Sequence, residues 1–384
     1  MFKRYDLVII NRSFWPVYPV IGEALLRLAE NISHSKKVAI VIQDHDNIRK
    51  HLKKNKRGWG IKFFPGKAFS NSSSSLIIRI LDAIFFTFWI IYCILKTRPK
   101  NIYISTDPPL IVPFIVSIIS KIMNIKYTYH LQDIHPEATN TIKKLNAYLF
   151  KFLKKIDNFS LRNANSLITL TEEMQEVIIN RLNKTNKISI IQNPSIILNP
   201  IKDIKKKRGF SFTGNLGRPQ LVNLLIEAIN EYEKKGGVLK FVFAGGGIFS
   251  KEILKLSKIN SLVTYHGIVS ATEADKIVSE YEWALLPIED EITRYAFPSK
   301  ISSYVCSGAK ILSICSDNTS VAKWIKSKKV GITVNPKLEE IIEFFFKIEK
   351  NIVDTSFINS DRKELIKIFQ MDTFVKKIEN KIFQ

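Results

Sequence analysis

Short apolar runs rich in β-branched and aromatic residues alternate with stretches of helical periodicity along almost the whole chain. In the first part the runs Leu7 to Asn11, Val38 to Gln43, Asn101 to Ser105, Tyr127 to Leu131, Ser166 to Leu170 and Ile188 to Gln192 predict strands. Helices are predicted near 20 to 31, 76 to 96, 110 to 123, 142 to 161 and 172 to 182. Strands this apolar, with little in-and-out alternation, belong in a parallel sheet covered on both faces. The pattern restarts after the charged, proline-bracketed stretch Asn199 to Arg208, which reads as a linker. Beyond it, strands are expected at Phe210 to Thr213, Leu239 to Ala244, Leu262 to Tyr265, Trp283 to Leu286, Lys310 to Ile314 and Gly331 to Val334. The reading is therefore α/β with two Rossmann-like domains, 1–198 and 199–364, their parallel sheets facing each other across a cleft. A C-terminal helix over about 365–384 is expected to pack back onto the first. In open α/β sheets ligands sit at the carboxyl ends of the strands, so those ends are where chemistry is sought.

Charge changes the picture more than composition does. The 384 residues carry 58 Lys and Arg against 35 Asp and Glu, net +23. The first 200 residues hold 29 of the basic and 13 of the acidic residues, so most of the excess is N-terminal. A basic surface attracts nucleic acid, anionic lipid or a phosphorylated substrate; a composition rich in Lys, Ile and Asn could equally reflect codon usage. Arg49 to Arg57 packs six basic residues into nine with aromatics nearby, which suits an anionic membrane, RNA or plain solvent. Three widely spaced cysteines, Cys93, Cys306 and Cys315, exclude a disulfide framework and point to a reducing, cytoplasmic setting. The N-terminal apolar run is too short for a signal peptide. The longest uncharged apolar runs, Ala83 to Leu95 and Pro108 to Ser120, fall short of the roughly 20 residues that span a bilayer, so buried or interfacial helices are expected.

Four stretches could carry chemistry. FTGNLGRPQ ends a strand in a glycine turn, where Gly214, Asn215 and Gly217 let backbone approach a ligand and Arg218 can pair with phosphate. Pro219 is placed to open the following helix. AGGG, containing Gly245 and Gly246, makes a second glycine turn. In AFPSKISSYVCSGAKIL, Pro298, Ser299 and Lys300 begin a helix, and a bound anion there would offset the unfavourable lysine. YHLQDIHPEA sets His130, Asp133, His135 and Glu137 just after a strand, where one could accept a proton or orient a hydroxyl. Their spacing matches no specific zinc pattern. The Asp-x-Asp in Gln43 to Asp46 reads as a loop.

Taken in order, TDPPL, QDIHPEA, IIQNPSI, FTGNLGR, FAGGG, YHGIV, ALLPI and FPSKISSYVCSGAKIL make the chain resemble family 4 glycosyltransferases of the GT-B fold, the branch that builds O-antigens, capsules and related bacterial polysaccharides. The resemblance implies a hexosyl- or N-acetylaminosugar transferase. A nucleotide-diphosphate sugar, expected to be UDP-linked, would bind the C-terminal domain and a polyprenyl-diphosphate-linked glycan the N-terminal one. It implies no metal and no other cofactor, retention of configuration, no nucleic-acid partner, and a cytoplasmic protein peripheral on the anionic inner face of the plasma membrane. Carried onto this chain, Gly214, Gly217, Arg218 and Lys300 would meet the diphosphate. Asp133 and Glu137 would face the acceptor hydroxyl, with His130 and His135 behind them. One departure stands out: the family's E-x7-E pair falls here on Tyr295 and Ser303, with Glu289, Asp290 or Glu291 as the only nearby carboxylates. A 2-epimerase of the same fold, or a basic scaffold with a degenerate site, are the alternative readings.

Overall fold

The computed structural model describes residues 4–70, 75–183, 188–196, 205–358 and 362–384, and they form two compact units. The first comprises 1–194 and 371–384, the second 195–370.

In the first unit seven parallel strands are β1 (Leu7–Ile10), β2 (Val38–Asp44), β3 (Lys62–Lys67), β4 (Asn101–Ser105), β5 (Lys126–His130), β6 (Ser166–Thr169) and β7 (Ile188–Ile190). They are ordered β3-β2-β1-β4-β5-β6-β7, the doubly wound arrangement, with Leu7 paired to both Val38 and Asn101. Helices α1 (Pro19–Ser33), α2 (Ile48–Lys54), α3 (Leu76–Thr97), α4 (Ile111–Met123), α5 (Glu137–Ile142), α6 (Ala147–Asn163) and α7 (Glu172–Leu182) connect them. All four residues of β1 are buried because both sheet faces are covered. Leu7 and Ile9 join Leu25, Ala29 and Phe374 in one core cluster, so α1 and the C-terminal helix cover one face; α3 and α4 pack on the strands as well.

Three expectations change here. Lys62 to Lys67 was not predicted as a strand, because Pro65 and Gly66 interrupt the pattern; at the sheet edge, pairing with β2 alone, such residues are tolerated. The predicted helix 142–161 starts later, as α6 at Ala147, and the short α5 before it was not predicted. The α3 helix covers the span predicted near 76 to 96, but the 13-residue uncharged run understated its apolar length: Arg79 and Asp82 break the run, and Asp82 accepts hydrogen bonds from Gln43 Nε2 at 2.6 Å and Phe69 N–H at 3.1 Å. The basic run from Arg49 to Arg57 forms α2 and the turn after it, and Arg57 is tied to Glu30 at 2.7 Å and Glu23 at 3.2 Å.

The second unit repeats the order as β10-β9-β8-β11-β12-β13. Its strands are β8 (Lys207–Thr213), β9 (Lys240–Ala244), β10 (Val263–Tyr265), β11 (Tyr281–Pro287), β12 (Lys310–Ile314) and β13 (Gly331–Val334). Its helices are α8 (Val222–Lys234), α9 (Ser250–Ile259), α10 (Ala271–Glu280), α11 (Lys300–Ser307), α12 (Ser320–Ser327), α13 (Leu338–Glu349) and α14 (Arg362–Phe369); α15 (Met371–Phe383) returns to the first unit, against α1. Phe210 and Phe241 stack at 4.9 Å across adjacent strands and Phe345 of α13 closes on both, an aromatic core beneath the sheet. Part of the expected linker, 199–204, lies outside the described residues; Lys207 and Arg208 already belong to β8.

Candidate functional site

The carboxyl ends of β8 and β9 each run into a glycine turn, and the two turns are built on each other. Gly214 N–H donates to Ala244 O at 2.9 Å, and Leu216 N–H to Gly246 O at 2.8 Å. Gly245, at φ +131°, lies so close that a Cβ there would meet Gly214 O at 1.9 Å. The second turn therefore keeps glycine chiefly to let backbone pack on backbone, a role the sequence did not reveal. Asn215 and Arg218 are exposed on the first turn, while Gln220 Oε1 accepts from Gly217 N–H at 3.0 Å. Pro219 does not open the long helix: Arg218–Gln220 form a 3-10 turn, Leu221 sits at φ +44°, and α8 begins at Val222. The helix start is thus set back from the turn that Arg218 occupies.

Lys300 begins α11 and reaches back under that turn. Its Nζ lies 3.8 Å from the centre of the Phe212 ring and within 3.6 Å of where a Cβ of Gly214 would stand. The Nζ is buried without a hydrogen-bond partner, and burial pushes its pKa down to about 7. A cation over an aromatic face is partly compensated, but its donors have no acceptor, which is the condition an incoming anion relieves. Tyr304 fixes α11 in place: its hydroxyl accepts from Thr213 N–H at 3.3 Å and donates to Leu285 O at 3.2 Å. At the other end of α11, Arg362 donates to Gly308 O and Ala309 O at 2.9 and 2.7 Å, and Lys206 to Ser307 O, cations satisfying the last carbonyls. Pro298 and Ser303 are half-buried and Ser299 is exposed at the head of this helix. Of the neighbouring carboxylates, Asp290 is committed to Ser316, accepting from its N–H at 2.8 Å and from its hydroxyl, so it does not stand in for the missing glutamates. Glu289 is exposed, and Glu289 N–H bonds Pro219 O at 2.8 Å.

In the first unit the four polar residues after β5 divide into different tasks. His130 is fully buried, its Nδ1 2.6 Å from Tyr103 Oη and its Nε2 3.1 Å from Gln132 Nε2; burial lowers its pKa to about 3, so it is a neutral ring inside the sheet layer. Gln132 accepts in turn from Asn193 Nδ2 at 2.6 Å. His135 Nδ1 lies 2.9 Å from Thr139 Oγ1 and is likewise held neutral by burial. Glu137 is no free carboxylate: Arg181 at 3.2 Å and Lys154 at 3.1 Å hold it, and Arg181 also bridges Asp157 at 2.8 Å. Its expected place at the acceptor hydroxyl gives way to a buried ion network. Asp133 differs. Its N–H reaches Thr106 Oγ1 at 3.4 Å, and its carboxyl pKa is pushed up to about 6, first by burial and then by Asp107. Asp107 is itself held by Ser13 N–H at 2.8 Å and Arg12 Nε at 3.2 Å. Arg12, Thr106 and Asp107 were not singled out from the sequence; the strand-end position of TDPPL was the available signal.

No family model matches the chain. A probable glycosyltransferase WbjE of Pseudomonas aeruginosa is 19% identical over 255 residues, which are 63% of this chain and 64% of that relative. Among solved structures, Anabaena Alr3699/HepE in complex with UDP superposes with a TM-score of 0.66 at 13% identity, covering 98% of both chains. The lipopolysaccharide outer core galactosyltransferase WaaB does so at 0.64 and 17%, covering 98% of this chain and 99% of its own. The resemblance carried by the motifs and the architecture seen here agree, and the chain has the fold of the GT-B glycosyltransferases.

Proposed function

We propose that the protein is a glycosyltransferase that moves a sugar from a nucleotide-diphosphate donor, UDP-linked, to a lipid-diphosphate-linked glycan in bacterial surface polysaccharide synthesis. The observation that carries this is the unpartnered Lys300 Nζ beneath the Gly214 turn, in a chain similar to glycosyltransferases. In this reading Gly214, Asn215 and Gly217 line the diphosphate, and Lys300 and Arg218 neutralise the charge that grows on it as the glycosidic bond breaks. These basic groups take the part a metal ion has elsewhere, and the anomeric configuration is retained. Gly245 and Gly246 act by holding the Gly214 turn in place, and Pro298, Ser299 and Ser303 shape the head of α11 around it. Asp133 accepts the acceptor's hydroxyl proton, a task its raised pKa suits near neutrality. The neutral His130, His135 and Gln132 keep that strand end rigid. The protein would work from the cytoplasm, on the inner face of the plasma membrane, where such acceptors are held.

A transfer assay with labelled nucleotide sugars and lipid-linked acceptors tests this. Arg218→Ala and Lys300→Ala should each abolish transfer in a folded protein, and near-normal rates in both would overturn the assignment. Turnover of free nucleotide sugar without an acceptor would instead favour epimerisation.

A further inference from the structure

Resting on the membrane-surface reading above, we infer that α3, with its neighbours α4 and α6, is a half-inserted face that lies flat in the headgroup and acyl boundary of an anionic bilayer. At about 1.5 Å per residue α3 is roughly 33 Å long, and it is long and apolar enough to cross a membrane. It cannot cross while folded onto its sheet. Phe86, Ile90, Cys93 and Ile94 are core residues, Asp82 is bonded to Gln43, and Trp89 Nε1–H donates to Phe64 O at 3.2 Å. Turning about 100° per residue, Ile77, Leu81, Phe88 and Leu95 fall on a single stripe opposite those anchors. They are 71, 60, 66 and 52% exposed. A helix with one apolar side in the core and another apolar side in water has two partners, and the described residues supply only the first.

The neighbours extend the stripe into a face. The α4 helix packs on both α3 and α6, Phe114 meeting Phe159 at 5.5 Å, and it exposes Ile122; α6 exposes Tyr148 and Phe152. The charge on these helices is one-sided. Arg79, Lys96, Lys121, Lys151, Lys154, Lys155 and Arg162 are basic, whereas the only acids, Asp82 and Asp157, are buried. A second copy of this chain would set basic residues against basic residues. A lipid surface of negative charge satisfies both the apolar stripe and the cations around it. The anchor is thereby moved from the Arg49 to Arg57 run, part of which is tied down by Glu23 and Glu30, to a face whose apolar surface can enter the bilayer.

Flotation of the full chain with phosphatidylcholine vesicles, with and without phosphatidylglycerol, tests this. The protein should float with the anionic vesicles, and salt should weaken it. The triple variant Leu81→Gln, Phe88→Gln, Leu95→Gln should bind roughly 1,000-fold more weakly, at about ten-fold for each large apolar side chain kept in water. Lys121→Gln with Lys151→Gln and Lys155→Gln should lose roughly five-fold per lysine on anionic vesicles. Lys50→Gln with Lys53→Gln and Lys54→Gln should float like the unaltered protein. A Phe88→Trp variant should be quenched by brominated acyl chains. Absence of flotation, wild-type flotation of the apolar variant, or loss confined to the Lys50, Lys53 and Lys54 variant would each overturn the inference. So would a stable dimer that the apolar variant converts to monomer, since the occupant would then be a second copy. Nucleotide stabilisation of the same samples is read separately, so failure of the donor site and failure of this face give different results.

Discussion

Replacing Lys300 by methionine separates what this residue does for folding from what it does for a ligand, because the two effects have opposite signs. Methionine keeps a long unbranched apolar chain against Phe212 and removes only the ammonium. In the ligand-free protein burial holds the Lys300 pKa near 7 instead of the ordinary 10.5. A displacement of that size corresponds to roughly 5 kcal/mol of penalty on the charged form; since the residue as a whole is only half-buried, solvent screening reduces this to about 2 kcal/mol. Lys300→Met should therefore stabilise the ligand-free protein at pH 7 by about 2 kcal/mol, a rise in Tm of about 4 to 8 °C for a unit of this size. The pH dependence follows. Between about 7 and 10.5 the unfolded lysine holds a proton that the folded one has released, so wild-type stability climbs as pH rises through that window. The variant should lose the climb between about pH 7 and 8 and keep only a smaller one above it, from Lys206, whose pKa burial lowers to about 8. Adding UDP should reverse the order, because the anion pairs the ammonium and stabilises the wild type alone. Calorimetric unfolding from pH 6 to 10, with and without UDP, reads all of this. A variant less stable than wild type without ligand, or one that UDP stabilises equally, would refute the reasoning.

Four other outcomes follow from the same geometry. Asp133→Asn should lower transfer about 100-fold or more with nucleotide stabilisation intact, and should remove a rise in kcat/KM through about pH 6 that the wild type shows as the carboxyl ionises; an unchanged profile assigns proton acceptance elsewhere. Arg181→Met leaves Asp157, whose side chain is 1% exposed, buried beside Glu137 without its cation, and denaturation should show a loss of about 3 to 5 kcal/mol. Glu137→Gln, by contrast, should keep substantial transfer, whereas loss as deep as that of Asp133→Asn would restore Glu137 to the acceptor site. Gly245→Ala forces a Cβ into Gly214 O from a positive φ and should cost about 1 to 3 kcal/mol, together with nucleotide stabilisation, measured by thermal unfolding.

The parallel sheets were legible because runs such as Leu7–Ile10 are apolar at every position, which only a doubly covered strand requires. Strand β3 was hidden by Pro65 and Gly66, tolerated only because it is an edge, and edges are a property of the assembled sheet. The span of α3 was legible, but its apolar length was hidden by Asp82, whose carboxylate accepts hydrogen bonds from Gln43 and Ser70 outside the helix. At the candidate site, glycine turns could be read as turns, but not that Gly245 is needed by the backbone of Gly214. Asp133 and Glu137 look equivalent in QDIHPEA. They are told apart by Arg181, more than forty residues onward, and by Asp107, just past the end of the neighbouring strand β4. The burial of Lys300 Nζ, on which the functional reading turns, depends on Phe212 and the fold of one turn, which no spacing rule conveys.

The most direct test of the donor site is thermal unfolding of the full chain against nucleoside diphosphates and nucleotide sugars at millimolar concentration. The account predicts that UDP and a UDP-sugar raise the midpoint, that the rise vanishes in Lys300→Met, and that nucleosides lacking the diphosphate have no effect. If no nucleotide shifts the midpoint, or if a nucleoside does so as well as its diphosphate, the Gly214 turn and Lys300 are not a diphosphate site.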